Sequence, residues 1–199
     1  MRTDVHIVGT VDAVDSAPVA RRFDPDRRDR ILDAALDVIA DHGLAGLTAR
    51  RIATAASVPL GSVSYHFDGL AALVSEAFVR HAGAMAVVYR THFTPVTDRA
   101  TMLEAAVEFV HGEAGVGRRD WVVAYELYLA ALREPALREI TQDWMQGSRD
   151  VLQRVLDPDT ARALDGVMEG LTMHAMFSTA PPTQESTRAV LARVLELAL

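Results

Sequence analysis

Thr48, Arg50 and Arg51 fall in one turn of chain, and Leu60, Gly61, Ser62, Ser64, Tyr65 and His66 follow just beyond Pro59. Hydroxyl, guanidinium and imidazole groups gathered in this way suit recognition of a surface rather than bond breaking. The segment Gly46–Phe67 reads as two short helices joined by a tight turn, with the polar residues collected on the second. That shape sets a helix into the major groove of a duplex. Bond-making chemistry has little to work with elsewhere. The chain holds no Gly-rich phosphate loop, no Gly-x-Ser-x-Gly elbow and no His-Glu-x-x-His pair. Its seven His are scattered, none three or four residues from another, which disfavours a metal site. With no Cys, a disulfide scaffold, a Cys-ligated zinc, an iron–sulfur cluster and thiol sensing are excluded. A non-enzymatic chain without cofactor is expected.

Charge is unevenly placed. The net charge is −7, and all 20 basic residues are Arg, which offers a planar fork to phosphate or guanine. Residues 21–70 carry seven Arg against seven Asp, whereas residues 71–199 carry twelve Arg against seventeen acids. The acidity therefore sits in the C-terminal body, and the N-terminal head is neutral with local Arg pairs. Half of the 199 residues are hydrophobic and a quarter charged, as in a globular soluble protein with a head and a body. No run approaches 18 uninterrupted apolar residues, so no membrane partner is expected, and the cytoplasm is the expected location. Residues 1–22 lack helical periodicity and read as a flexible extension.

These groups need a helical frame, and the periodicity supplies one. Asp24 is placed to cap a first helix that Pro25 opens, with Ile31, Leu32, Ala35, Leu36 and Ile39 as its apolar stripe and Gly43 as its stop. Thr48 caps a second helix through about Ala56, and Pro59 opens a third to about Phe67. The body reads as helices over Leu70–His92, Thr97–Glu113, Asp120–Arg133, Pro135–Leu156, Pro158–Ser178 and Gln184–Leu197. The expected fold class is all-α: a head over 23–69 and a larger helical domain over 70–199.

The pattern Gly-Leu-Thr-x-x-x-Ile-Ala followed by x-Gly-Ser-Val-x-Tyr-His-Phe, after a long first helix, resembles the DNA-binding domain of the TetR family of transcriptional regulators. Arg27 to Phe78 carries the resemblance, and the rest of the chain is similar by layout alone. It implies that Arg50 reads a guanine edge beside Arg51. Thr48, Tyr65 and His66 donate to phosphates, while Leu60, Gly61, Ser62 and Ser64 face the groove. Arg21, Arg22, Arg27 and Arg28 are placed to form an arm toward the duplex or an ordinary solvated face. The chain departs from the family at Ser57 (usually Gly), Pro59 (usually a Ser-like cap), Ser64 (often Tyr) and Leu70 (commonly Lys).

Two further sets of residues stand out in the body. Ala161, Leu164, Met168, Leu171 and Ala175 alternate at spacings of three and four, with Gly166 and Gly170 between them, while Leu191, Val194 and Ala198 offer a matching face. Two copies of this helix pair would build the four-helix homodimer core that the resemblance implies; packing within one subunit is the alternative. Met102, Phe109, Trp121, Tyr125, Tyr128, Trp144, Met145, Met173, His174, Met176 and Phe177 are candidate lining for a small-molecule pocket. Glu126, His111 and His174 are its candidate polar groups, and core packing is the alternative for each. The expected function is a ligand-responsive regulator, a repressor that binds a palindromic operator as a homodimer. A largely apolar effector would release it. The rival reading is a helical binding or enzymatic protein whose helix-turn-helix is only structural.

Overall fold

The computed structural model describes residues 24–112 and 114–196, and every regular element among them is a helix. In order these are α1 (Arg27–His42), a 3₁₀ turn (Leu44–Gly46), α2 (Ala49–Ala55), α3 (Leu60–His66), α4 (Gly69–Phe93), α5 (Arg99–Val110), α6 (Arg118–Ala131), α7 (Pro135–Leu152), α8 (Pro158–Phe177) and α9 (Gln184–Val194). The all-α expectation holds. The extension 1–22, with Arg21 and Arg22, lies outside the described residues, as do Glu113 and Ala198.

Local chemistry explains most boundaries. Thr48 caps α2 by accepting from the Arg51 amide at 3.2 Å. Asp98 and Thr101 satisfy each other's backbone amides at the start of α5, and Asp157 and Thr183 cap α8 and α9. The expected Asp24 cap is corrected. Asp26 occupies the cap position, and the Asp24 carboxylate instead takes a two-point bond from Arg30 at 2.7 and 3.1 Å. Arg30 holds that carboxyl below its ordinary range. The expected helices over 97–113 and 135–156 also run too long. Gly112 turns left-handed (φ 79°) just past α5, while both Val155 and Leu156 amides fold back onto the Leu152 carbonyl and end α7.

Two apolar cores share α4. The first joins Ile31 and Ile39 of α1, Ile52 of α2, Val63 of α3, and Leu73 and Phe78 from the first turns of α4, then continues into Val123 and Leu127 of α6. The second joins Phe93 of α4 to Met102, Phe109, Leu152, Leu164, Met168 and Leu191. Each fully buried side chain of this size contributes roughly 1.5–3 kcal/mol. By length and composition α4 is apolar enough to cross a membrane, with a mean hydropathy of 1.3 over its best window. Its buried residues are nevertheless spent on these cores, from Leu73 to Phe93. Across the head–body seam, Arg80 reaches Asp33 at 2.6 Å and Asp29 at 3.4 Å, and Arg119 pairs with Asp37. These pairs are exposed, so they orient the head more than they stabilise it.

Candidate functional site

The head presents its polar residues on one outward surface. Arg50 is exposed at the start of α2, and Arg51 beside it is steadied by donating to the Gly46 carbonyl at 2.5 Å. The turn between α2 and α3 depends on Ser57, which takes a left-handed φ of 54°. A non-glycine residue there costs roughly 1 kcal/mol, so the departure from Gly is strained yet keeps the turn. On α3, Leu60 is 49% exposed and Tyr65 83% exposed. A side chain at Gly61 would meet only open space. Ser64 donates back to the Gly61 carbonyl at 3.2 Å, and His66 packs edge-on to Tyr65 at 5.0 Å. Thr48, Arg50, Arg51, Leu60, Gly61, Ser64 and Tyr65 are exposed and Ser62 and His66 half-buried, on helices fixed from behind by Ile52 and Val63. Of the expected arm, Arg28 is engaged instead, paired with Glu76 and lying 4.8 Å over the Phe67 ring, and Arg27 sits 3.6 Å from Asp24.

The body holds a small, partly open cavity of about 30 Å³ lined by Met85 and Tyr89 of α4, Phe109 of α5, Trp121 and Tyr128 of α6, Trp144 of α7, and Asp165, Met168 and Glu169 of α8. Its rings form a continuous chain. Tyr89 meets Phe109 at 5.1 Å, Phe109 meets Trp121 at 5.9 Å, Trp121 stacks on Tyr125 at 5.9 Å, and Tyr128 reaches Trp144 at 5.7 Å. Against this wall sit two carboxylates. Burial pushes Asp165 up to about 6, opposed by Arg149, and pushes Glu169 up to about 7, helped by the Asp165 charge and opposed by the Tyr128 hydroxyl. Burial likewise raises Tyr125 to about 12 and Tyr128 further. The Tyr89 and Tyr125 hydroxyls are buried without a partner. A second, open groove of about 860 Å³ runs between the end of α4 and α5 past His92, Pro95 and Glu108. It lacks such a set of converging groups.

Four of the expected lining residues, Phe109, Trp121, Tyr128 and Trp144, come together here, and Tyr125 stacks behind them. The others do not. Met102 is buried in the second core, Met145 is half-buried away from the lining, His174 is exposed, and Phe177 is 75% exposed at the end of α8. His111 is bonded to Thr187 at 3.0 Å, and Glu126 turns toward the head. Sequence reasoning missed Met85, Tyr89, Asp165 and Glu169. The acid pair one turn apart beside Leu164 and Met168 was the available signal for the last two.

The expected pairing face also needs correction. Leu164, Met168 and Leu191 are buried in the chain's own core, at 0–1% exposure, so a second copy cannot reach them. Leu171 and Val194 are half-covered, Gly166 is exposed and Gly170 half-exposed, and nothing lies within 4 Å of where a side chain would start at either glycine.

Like α4, helix α6 touches both regions. On α6, Trp121 and Tyr128 line the cavity, while Val123 and Leu127 pack in the head core. The Glu126 carboxylate accepts from the Leu44 amide at 3.0 Å, at the turn that leads from α1 to α2.

Residues 31–77 match the domain described as bacterial regulatory proteins, tetR family, and residues 97–197 match the tetracyclin repressor-like, C-terminal domain. No curated protein matches the chain. Among solved structures it is similar to SCO7518 from Streptomyces coelicolor A3(2), at 43% identity over 86% of this chain and 99% of that one, with a TM-score of 0.79. It is also similar to SCO1917 from Streptomyces coelicolor A3, a TetR family member (38% identity, 85% and 98% covered, TM-score 0.72). A third similar structure is the multidrug binding protein EbrR complexed with ethidium (39% identity, 86% and 99% covered, TM-score 0.71). EbrR is also known complexed with malachite green and with proflavin.

Proposed function

The chain belongs to the TetR family of transcriptional regulators, and we propose that it is a homodimeric repressor released from a palindromic operator by an aromatic cation. In this reading Arg50 and α3 read the major groove, with Thr48, Tyr65 and His66 anchoring phosphates. Two copies would pair through the open stripe of α8 around Gly166 and Gly170 together with Leu171 and Val194. This would set two recognition helices roughly 34 Å apart.

To the largely apolar effector expected from sequence, this reading adds a positive charge. Two half-buried carboxylates beside a chain of rings favour a positively charged aromatic ligand, through charge and through the ring faces. EbrR is known complexed with imidazole and with ethidium, malachite green and proflavin, the last three of which are aromatic cations. At about 30 Å³ the cavity has room for only one or two water molecules, whereas ligand pockets span roughly 300–1,000 Å³. Entry of such a ligand must therefore widen the space between the helices that line it.

The observation that carries the proposal is α6 itself, which lines the cavity with Trp121 and Tyr128 and holds the head through Leu127 and Glu126. A ligand that displaces α6 shifts the head and favours a dimer spacing that no longer fits the operator. Selection of the purified protein from a random DNA pool at physiological salt tests the first half, with an enriched palindrome expected. Release of that site by tetraphenylphosphonium, an aromatic cation that does not intercalate, tests the second. No enrichment from a folded dimer favours the rival reading of a purely structural helix-turn-helix.

A further inference from the structure

We infer that the body cavity is a proton-for-cation exchanger: Asp165 and Glu169 share a proton in the unliganded protein and release it to water when an organic cation enters. The inference rests on the aromatic-cation reading above and adds the regulation of that site.

The geometry leads to it directly. Asp165 and Glu169 stand four residues apart on α8, so both project from one face into the same small space. The wall opposite them is Met85, Tyr89, Phe109, Trp121, Tyr128 and Trp144, which supplies no positive charge. Arg149 of α7 acts on Asp165, but it also donates to Gln146 at 3.2 Å. On α6 the titratable neighbours are Tyr125 and Tyr128, and on α4 the neighbour is Tyr89. Phe109 is the contribution of α5 to this wall. The charges elsewhere on α5 and α9 are directed to other partners, Glu104 to Arg188 at 2.6 Å and Glu108 toward His92 at 3.9 Å. Two half-buried carboxylates one helical turn apart against a wall of rings cannot both ionise cheaply, so they titrate as a coupled pair. Tyr89 marks the space as built for a ligand. It lines the cavity, is only 6% exposed, and its hydroxyl has no partner.

A permanent cation reverses the balance. Its charge favours both carboxylates ionised, so the O–H bond of the protonated acid breaks, the proton passes to solvent, and the charge of the site is conserved. The sign of the pH dependence follows. Burial raises Asp165 from 3.8 to about 6 and Glu169 from 4.5 to about 7. In the empty protein these groups therefore favour folding below their unfolded values, and that contribution is lost as pH rises through about 6 to 7. Cation affinity runs the other way, gaining as pH rises through the same window.

Titration calorimetry of the full chain with ethidium, in paired buffers of different ionisation heat, tests this. Ethidium is a permanent cation with no proton of its own to lose near neutrality. About one proton released per ethidium is expected near pH 6, falling toward none by about pH 8.5. Affinity should rise about tenfold per pH unit between about pH 6 and 7, and more steeply below. Glu169→Gln, which keeps the shape, should still bind ethidium more weakly while releasing at most half as many protons. Equal affinity at both pH values with no buffer-dependent heat overturns the exchange while leaving the effector class intact. No binding heat at any pH overturns the effector class itself, and the exchange with it.

Discussion

The reading face of the head and the cavity of the body use polar groups in opposite ways. On the head, Arg50, Ser64 and Tyr65 stand in water on short helices whose backs are locked by Ile52 and Val63. They are finished before any partner arrives, and their chemistry is that of their residue types. In the body, Asp165, Glu169 and the Tyr89 hydroxyl lie against a wall of rings, and burial changes what they do. A surface site is thus specified by identity and scaffold, whereas a buried site is specified by its walls. The two meet in α6, so a change in the walls is felt at the scaffold.

The sharpest way to break this comparison is to ask whether the two regions are separable at all. Phe78 is fully buried where α4 closes the head core. Phe78→Ala should cost about 3–5 kcal/mol. Because α4 also carries Phe93 into the second core, the loss should appear as one lower-melting transition by both circular dichroism and tryptophan fluorescence. Two separate transitions would make the head an independent domain. Next in size is Arg50→Ala, which should weaken operator binding by about 1–3 kcal/mol and leave ethidium affinity unchanged. Loss of both affinities together would mean that the regions are not distinct sites.

The link between them carries a smaller effect. Glu126→Gln weakens a charged acceptor for the Leu44 amide by about 1 kcal/mol. It should reduce the operator release caused by a saturating cation, with each affinity measured alone changing little. An unchanged release would move the coupling onto Leu127 and Val123. Last comes Ser57→Gly, which removes a left-handed φ penalty and should raise stability by up to about 1 kcal/mol, read as a higher melting temperature.

The same contrast explains what could be read from the sequence. The stripe from Ile31 to Ile39, the Thr48 cap and the start of α3 at Pro59 were legible, because caps and periodicity are local. So was the exposure of Arg50, Ser64 and Tyr65, since short polar helices keep such groups in water. Asp165 and Glu169 were not, because an acid pair one turn apart usually lines a solvated face. Only the packing of α5 and α7 against α8, with the α6 rings across the cavity, half-buries it. Leu164, Met168 and Leu191 were read as a pairing face because periodicity shows that a stripe is apolar but not what covers it. Glu126 stood among cavity residues in sequence, yet a helix has two sides, and its side faces Leu44.

The most direct test of the account is operator affinity with and without saturating tetraphenylphosphonium, measured by fluorescence anisotropy on the selected duplex. Quenching of Trp121 and Trp144 would verify that the cation is bound. The account predicts a fall of about a hundredfold, equivalent to about 2.8 kcal/mol of differential binding between the two head geometries. An operator affinity that stays the same with the cation bound would contradict it, since cavity and reading face would then share a chain without sharing a function.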